Sequence, residues 1–110
     1  MINQTGRKPY AGDERIMIIY LAGKIKGDDN YKDKFARVES YLMGLGHIVI
    51  NPTLLPAGLP EKAYMPICMT MMEHADAVYF LEDWIYSPGA RLEQEYAIYQ
   101  KKLIMYEKEM

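Results

Sequence analysis

An alternation constrains this chain more than any other feature. Four short apolar runs are separated by three segments of helical character. The first run, Arg15 to Ala22 (RIMIIYLA), has no period of two, which marks a strand buried on both faces. Gly23 to Asn30 follows as a polar loop with two glycines, where Asp28, Asp29 or Asn30 can cap the next helix. Tyr31, Phe35, Val38, Leu42 and Leu45 then recur at spacings of four and three, tracing one apolar helical face. Lys32, Lys34, Arg37 and Glu39 lie elsewhere on that helix and read as solvated. Gly46 supplies a C-terminal stop. His47 to Ile50 reads as a second strand, with His47 an edge residue without chemistry, and Asn51-Pro52 breaks it. Thr53 to Lys62 is a loop with Pro56, Gly58 and Pro60, and Tyr64 to His74 a helix opened by Pro66. Ala77 to Leu81 is a third strand, Glu82 to Tyr86 a loop, Ser87 to about Gln100 a helix, and Leu103 to Tyr106 a fourth strand.

The order β-α-β-α-β-α-β calls for a parallel sheet with helices on both faces. Right-handed crossovers leave few topologies, and a small doubly wound, flavodoxin-like α/β sheet of about four strands in the order 2-1-3-4 is expected. With 110 residues there is room for one domain, assigned to residues 15–110 behind a polar tail at 1–14. In such sheets ligands bind beyond the carboxyl ends of the strands, near the switch in strand order. Three loops converge there: those after Tyr20 and Ile50, and Glu82 to Ser87.

Composition narrows the function classes. A formal net charge of -2 argues against a nucleic-acid polymer as partner. The single cysteine, Cys68, has no disulfide partner and no metal-ligand spacing around it, which suits a reducing cytoplasm and implies no metal. The first residues lack the apolar core of a signal peptide, and no apolar run approaches membrane-spanning length. Nine methionines and ten tyrosines suit adaptable pockets, or simply an adaptable core.

The stretch from Ser87 to Ala97 (SPGARLEQEYA) carries the most chemical information. Ser87 can cap a helix with its hydroxyl, and Pro88 suits the first helical position. Gly89 leaves room for a ligand to approach the backbone. Glu93 falls about one turn in, where the helix dipole is expected to keep a carboxylate ionised and ready as a nucleophile towards a sugar phosphate. The same stretch also reads as a well-capped surface helix with an acidic start. Tyr20, at the end of the first strand, can donate a hydrogen bond to Glu93, or simply pack. Lys24 and Lys26, in the loop bounded by Gly23 and Gly27, can meet a phosphate or stay solvated; the loop lacks the Walker pattern, and a dinucleotide fingerprint is absent. Asp83 and Trp84 precede the Ser87 helix, where an indole can stack on a base or cap the core. Asp76, at a helix-to-strand junction, reads as a turn residue.

Taken in order, Ile18-Ile19-Tyr20-Leu21-Ala22-Gly23, Gly46-His47, Asn51-Pro52, Tyr64-Met65, Ala75-Asp76-Ala77-Val78-Tyr79, Trp84 and the Ser-x-Gly-Ala-x-x-Glu-x-x-x-Ala stretch resemble the DUF4406 family. That family is similar to nucleoside 2-deoxyribosyltransferases and 2'-deoxynucleoside 5'-monophosphate N-glycosidases. The resemblance covers Arg15 to Tyr106. It implies that Glu93 attacks the anomeric carbon of a deoxyribosyl group, that Tyr20 orients it, and that Ser87 meets a 5'-phosphate; Gly89, Gly23, Lys24, Lys26, Trp84 and Asp83, read above from the residues themselves, are the further candidate substrate contacts. The chemistry implied is retaining glycosyl transfer, with water or a second base releasing the sugar. It implies no cofactor and a homo-oligomer. One position departs from the family: Cys68 stands where the catalytic families carry an aspartate that protonates the departing base. A thiol of pKa roughly 8.5 is a poorer proton donor than a carboxylic acid. Cys68 is thus either a substitute acid or a small buried residue. The C-terminal residues that complete a neighbouring subunit's pocket in the transferases have no obvious match.

Two readings follow. The first is an enzyme acting at the N-glycosidic bond of a deoxynucleoside (mono)phosphate. The second is a non-catalytic nucleotide-binding module, a sensor or sequestering protein; Cys68 favours it, and the retention of Tyr20 and Glu93 speaks against it. A structural subunit with methionine-rich interfaces is a third, weaker reading.

Overall fold

A computed structural model describes residues 16–108; the tail assigned to residues 1–14, and Arg15, lie outside the described residues. The chain runs β1 (Ile18–Ala22), α1 (Tyr31–Gly44), β2 (Ile48–Ile50), α2 (Glu61–Glu73), β3 (Ala77–Phe80), α3 (Pro88–Tyr99) and β4 (Leu103–Tyr106). Single 3-10 turns at Pro52–Leu54 and Trp84–Tyr86 interrupt the loops after β2 and β3. The four strands form one parallel sheet in the order β2-β1-β3-β4, as expected.

Burial explains why β1 carries no polar alternation. Successive strand side chains point to opposite faces. Ile19 and Leu21 enter one core with Phe35, Val38 and Leu42 of α1, while Tyr20 and Ala22 enter the other with Cys68 and Met72 of α2 and Ala97 of α3. From Ile19 to Ala22 every residue is buried, so both parities must be apolar or partnered. Each large side chain buried this way contributes about 1.5–3 kcal/mol. One helix covers one face and two cover the other.

The connections are built from specific residues. After the cap residue Leu45, Gly46 adopts φ +98, and the amides of Gly46 and His47 donate to the carbonyls of Met43 and Leu42. This paired closure needs a left-handed residue, which glycine supplies without strain. His47 precedes β2 rather than opening it, and its Nδ1 accepts from the Met17 amide (3.1 Å). Asn51, buried after β2, accepts from the Thr53 amide (2.9 Å) and hydroxyl (2.7 Å) and donates to Glu39 Oε1 (2.9 Å). Asp76 fastens the start of β3 to β1 by accepting from the Ile18 amide at 2.8 Å.

Three expectations need correction. The helix α2 begins at Glu61, not Tyr64, because Pro60 already serves as its N-cap. Pro66 therefore lies inside the helix and costs it a backbone hydrogen bond. Asn30 occupies the N-cap of α1 without a side-chain cap bond; its amide instead donates to Asp28 Oδ1 at 2.8 Å. Lys34 and Glu39 are not simply solvated. Lys34 Nζ binds both Asp28 and Asp83, and Asp83 Oδ1 accepts from the Lys24 amide at 3.1 Å. Burial alone would lower the Lys34 pKa, but the two carboxylates outweigh it and raise it.

This cluster fastens the loop after β1 to the end of β3. Gly23 permits the close approach there, since an added Cβ would lie 3.0 Å from Leu81 Cβ and 3.2 Å from Phe35 Cζ. Replacing Lys34 by Ala leaves two half-buried carboxylates without their cation. The variant is expected to be less stable, read as a lower urea unfolding midpoint at unchanged slope.

Candidate functional site

A cleft of about 520 Å³ opens beyond the carboxyl ends of the strands. One wall is the start of α3, from Ser87 to Glu93. A second is α2, through Tyr64, Met65 and Cys68, and the loop after β1 supplies Gly23, Ile25 and Lys26. Pro52 and Thr53, held by the Asn51 cap, and Leu55, Ala57 and Leu59 complete it.

Glu93 and Tyr20 meet in this wall. The Tyr20 hydroxyl donates to Glu93 Oε2 at 2.6 Å, a length typical of a bond to an ionised oxygen. Tyr20 has no exposed surface and stands behind the cleft; Glu93 is 7% exposed and lines it. A carboxylate has about four acceptor positions, so one bond to Tyr20 leaves the group able to act on a ligand. The thiol of Cys68 lies against the Tyr20 hydroxyl and within the field of Glu93.

Charge in this trio is set by burial. Desolvation pushes Glu93 up to about 7, while the hydrogen bond from Tyr20 pulls the other way. Burial thus works against the expected tendency of Glu93 to stay ionised, and the helix dipole offsets it little. The dipole acts within the first turn, and Glu93 is the sixth residue of α3. Burial also raises Tyr20 well above its ordinary value, with the Glu93 charge adding to it. Burial pushes the Cys68 thiol up as well, against the smaller opposing influence of the neighbouring Tyr20 hydroxyl, and so it stays protonated at neutral pH.

At the head of α3, the Ser87 hydroxyl accepts from the Ala90 amide (3.1 Å) and caps the helix. Its proton, and the Gly89 amide, remain for a ligand. A Cβ at Gly89 would meet only Met65 Cε at 3.5 Å and Ser87 Oγ at 3.8 Å, so packing alone does not demand glycine there. Lys26 pairs with Glu61 (3.5 Å) at the mouth, both side chains more than four-fifths exposed.

Of the residues singled out in the sequence, Glu93, Cys68, Ser87, Gly89, Gly23 and Lys26 line the cleft, with Tyr20 directly behind it. Lys24, Asp83 and Trp84 do not line it. Asp83 is committed to Lys34 and the Lys24 amide, and the Trp84 ring packs on Phe80 (5.2 Å) and Tyr106 (5.6 Å). Sequence reasoning missed the apolar wall of Ile25, Leu55, Leu59 and Met65. Its signal was leucines inside a loop rich in proline and glycine, where a solvated loop would be polar. Among the described residues, no cluster of three or more His, Cys, Asp or Glu is arranged to hold a metal, and no helix is long and apolar enough to cross a membrane.

The Glu93 shift links stability to pH. Between 4.5 and about 7 the unfolded chain loses this proton while the native chain keeps it. Stability therefore falls as pH rises through that window, by about 3 kcal/mol in all from this group. Glu93→Gln removes the ionisation. Urea unfolding is expected to show the variant more stable than the parent at pH 8, with the gain absent at pH 4.5.

Residues 17–106 match the model of a family described as a domain of unknown function, DUF4406. No curated protein matches the chain. Among solved structures it is similar to a 2-desoxiribosyltransferase from Leishmania mexicana, with TM-score 0.64 and 20% sequence identity. The match covers 81% of this chain and 62% of that one, so this chain accounts for less than two thirds of that enzyme's length. At this identity the likeness is one of fold: the same α/β arrangement around a four-stranded parallel sheet. Since the family match spans the whole sheet, from the residue before β1 to the last residue of β4, the chain belongs to the DUF4406 family.

Proposed function

We propose that this protein cleaves or transfers at the N-glycosidic bond of a deoxynucleoside monophosphate. The observation that carries the reading is the buried hydrogen bond between Tyr20 and Glu93 in the cleft wall. A carboxylate that merely capped or solvated a helix would not be desolvated and tied to a phenol 73 residues away.

Each residue then has a role. Glu93, ionised, attacks the anomeric carbon and forms a glycosyl ester. Its pKa of about 7 leaves a large ionised fraction at neutral pH, yet makes it more basic than a surface glutamate. Tyr20 orients the reacting oxygen. The Ser87 hydroxyl and the Gly89 amide receive the 5'-phosphate at the positive end of α3, with Lys26 adding charge from the mouth. The apolar wall of Ile25, Leu55, Leu59 and Met65 accepts the base. Water or a second base then takes the sugar. The similarity to a 2-desoxiribosyltransferase fold supports a nucleoside-type ligand. A homo-oligomer in the cytoplasm completes the proposal.

A non-catalytic sensor of the same fold is the rival, and Cys68 is its strongest support. The two differ in what they release. Incubated with a panel of deoxynucleoside monophosphates, the parent protein is expected to yield free base, and Glu93→Ala to yield none. Below about 7 the value of kcat/KM is expected to fall roughly tenfold per pH unit as Glu93 takes up its proton. Thermal stabilisation by nucleotides without any free base would instead establish the sensor.

A further inference from the structure

Breaking the glycosidic bond sends an electron pair to the base nitrogen. Unless a proton meets that nitrogen, the base leaves as an anion. The groups able to supply one are few among the described residues lining the cleft. Glu93 is the nucleophile in the proposed reaction, and Tyr20 directs its proton at Glu93 Oε2. The Tyr64 hydroxyl donates to the Pro56 carbonyl at 2.7 Å. Glu61 is 85% exposed and paired with Lys26 at the mouth. Lys32 is exposed at the rim, and Tyr31 offers only a phenol. Cys68 of α2 lines the cleft with Glu93 and shares the buried core with Tyr20, and a thiol is a weak donor.

Resting on the function proposed above, we infer that Cys68 makes this cleft selective for leaving groups that depart without being protonated. The substrate class is a deoxyribosyl 5'-phosphate whose base is stabilised as an anion, by electron-withdrawing substitution or an electron-poor ring. In the first step a lone pair of Glu93 forms a C–O bond to the anomeric carbon. The C–N bond breaks and its pair stays on nitrogen. In the second step water oxygen bonds to the same carbon, the C–O bond to Glu93 breaks, and its pair returns to the carboxylate. The proton released by that water reaches the base nitrogen through solvent.

The test is a series of deoxyuridine monophosphates carrying 5-nitro, 5-fluoro, hydrogen or 5-methyl on the base, so that sugar, phosphate and site of substitution stay the same while leaving-group acidity changes greatly. In the parent protein, kcat/KM is expected to rise on the order of a hundredfold or more from 5-methyl to 5-nitro, the range a missing general acid leaves uncovered. Comparable rates along the series would overturn the inference, because the site would then be supplying a proton. Cys68→Asp, with its fold checked by circular dichroism, is expected to flatten the series tenfold or more, whereas Cys68→Ser keeps it steep. A folded Cys68→Asp that leaves the slope intact also overturns it; if that variant does not fold, the parent series alone decides. No free base from this series or from the wider nucleotide panel would instead remove the glycosidic reading itself.

Discussion

The site depends on one contact, the hydrogen bond from the Tyr20 hydroxyl to the Glu93 carboxylate. It needs three things of the fold. The central strand β1 must place Tyr20 on the face covered by α2 and α3, and the parity of residues 19 to 22 does this. A slip of one residue would send the phenol into the α1 core instead. Strand β3 must lie beside β1, so that α3 begins next to the carboxyl end of β1. Finally, Ser87 and Pro88 must start α3 where they do, since this sets which residue of the helix points inward.

Two electrostatic effects compete at Glu93, and burial wins. A helix N-terminus stabilises a carboxylate by roughly 0.3–1 kcal/mol, and only within its first turn. Desolvation of a carboxyl group that is nine-tenths buried acts in the opposite direction and is larger, lifting the group to about 7. The neighbours are tuned the same way, for Tyr20 and Cys68 are both held in their protonated forms. The cleft thus presents one ionisable oxygen acid poised near neutrality, flanked by two weak acids that keep their protons. Stability is given up for this arrangement, and the apolar cores on the two faces of the sheet offset it.

Much of this was legible in the sequence, for identifiable reasons. Strand order followed from the β-α alternation and handedness, which leave little freedom. Gly46 and Ser87 were readable because their roles are local: a left-handed closure and a hydroxyl cap involve only neighbouring residues. The meeting of Tyr20 with Glu93 followed from topology, since both sit at ends of elements that the sheet brings together. Other features rested on contacts that no local pattern announces. Lys34 looks like any charged residue on a polar face until Asp28 and Asp83 arrive from two other segments. Asp83 and Trp84 stand beside the cleft in sequence, but one is tied into that cluster and the other packs on Phe80 and Tyr106. The start of α2 was misplaced because proline at a cap and proline inside a helix look alike in a short window. The upward pull of burial on Glu93 is not legible in the sequence because burial is a property of the folded whole.

The central claim is that Glu93 is a buried carboxyl group held by Tyr20 and titrating near neutrality. Carbon-13 NMR of the side-chain carboxyl, assigned through Glu93→Gln and followed from pH 4 to pH 9, measures this directly. The account predicts a midpoint close to 7 that moves higher in Tyr20→Phe, where the bond favouring the ionised form is gone. A midpoint at the ordinary glutamate value, indifferent to the loss of the phenol, would contradict it.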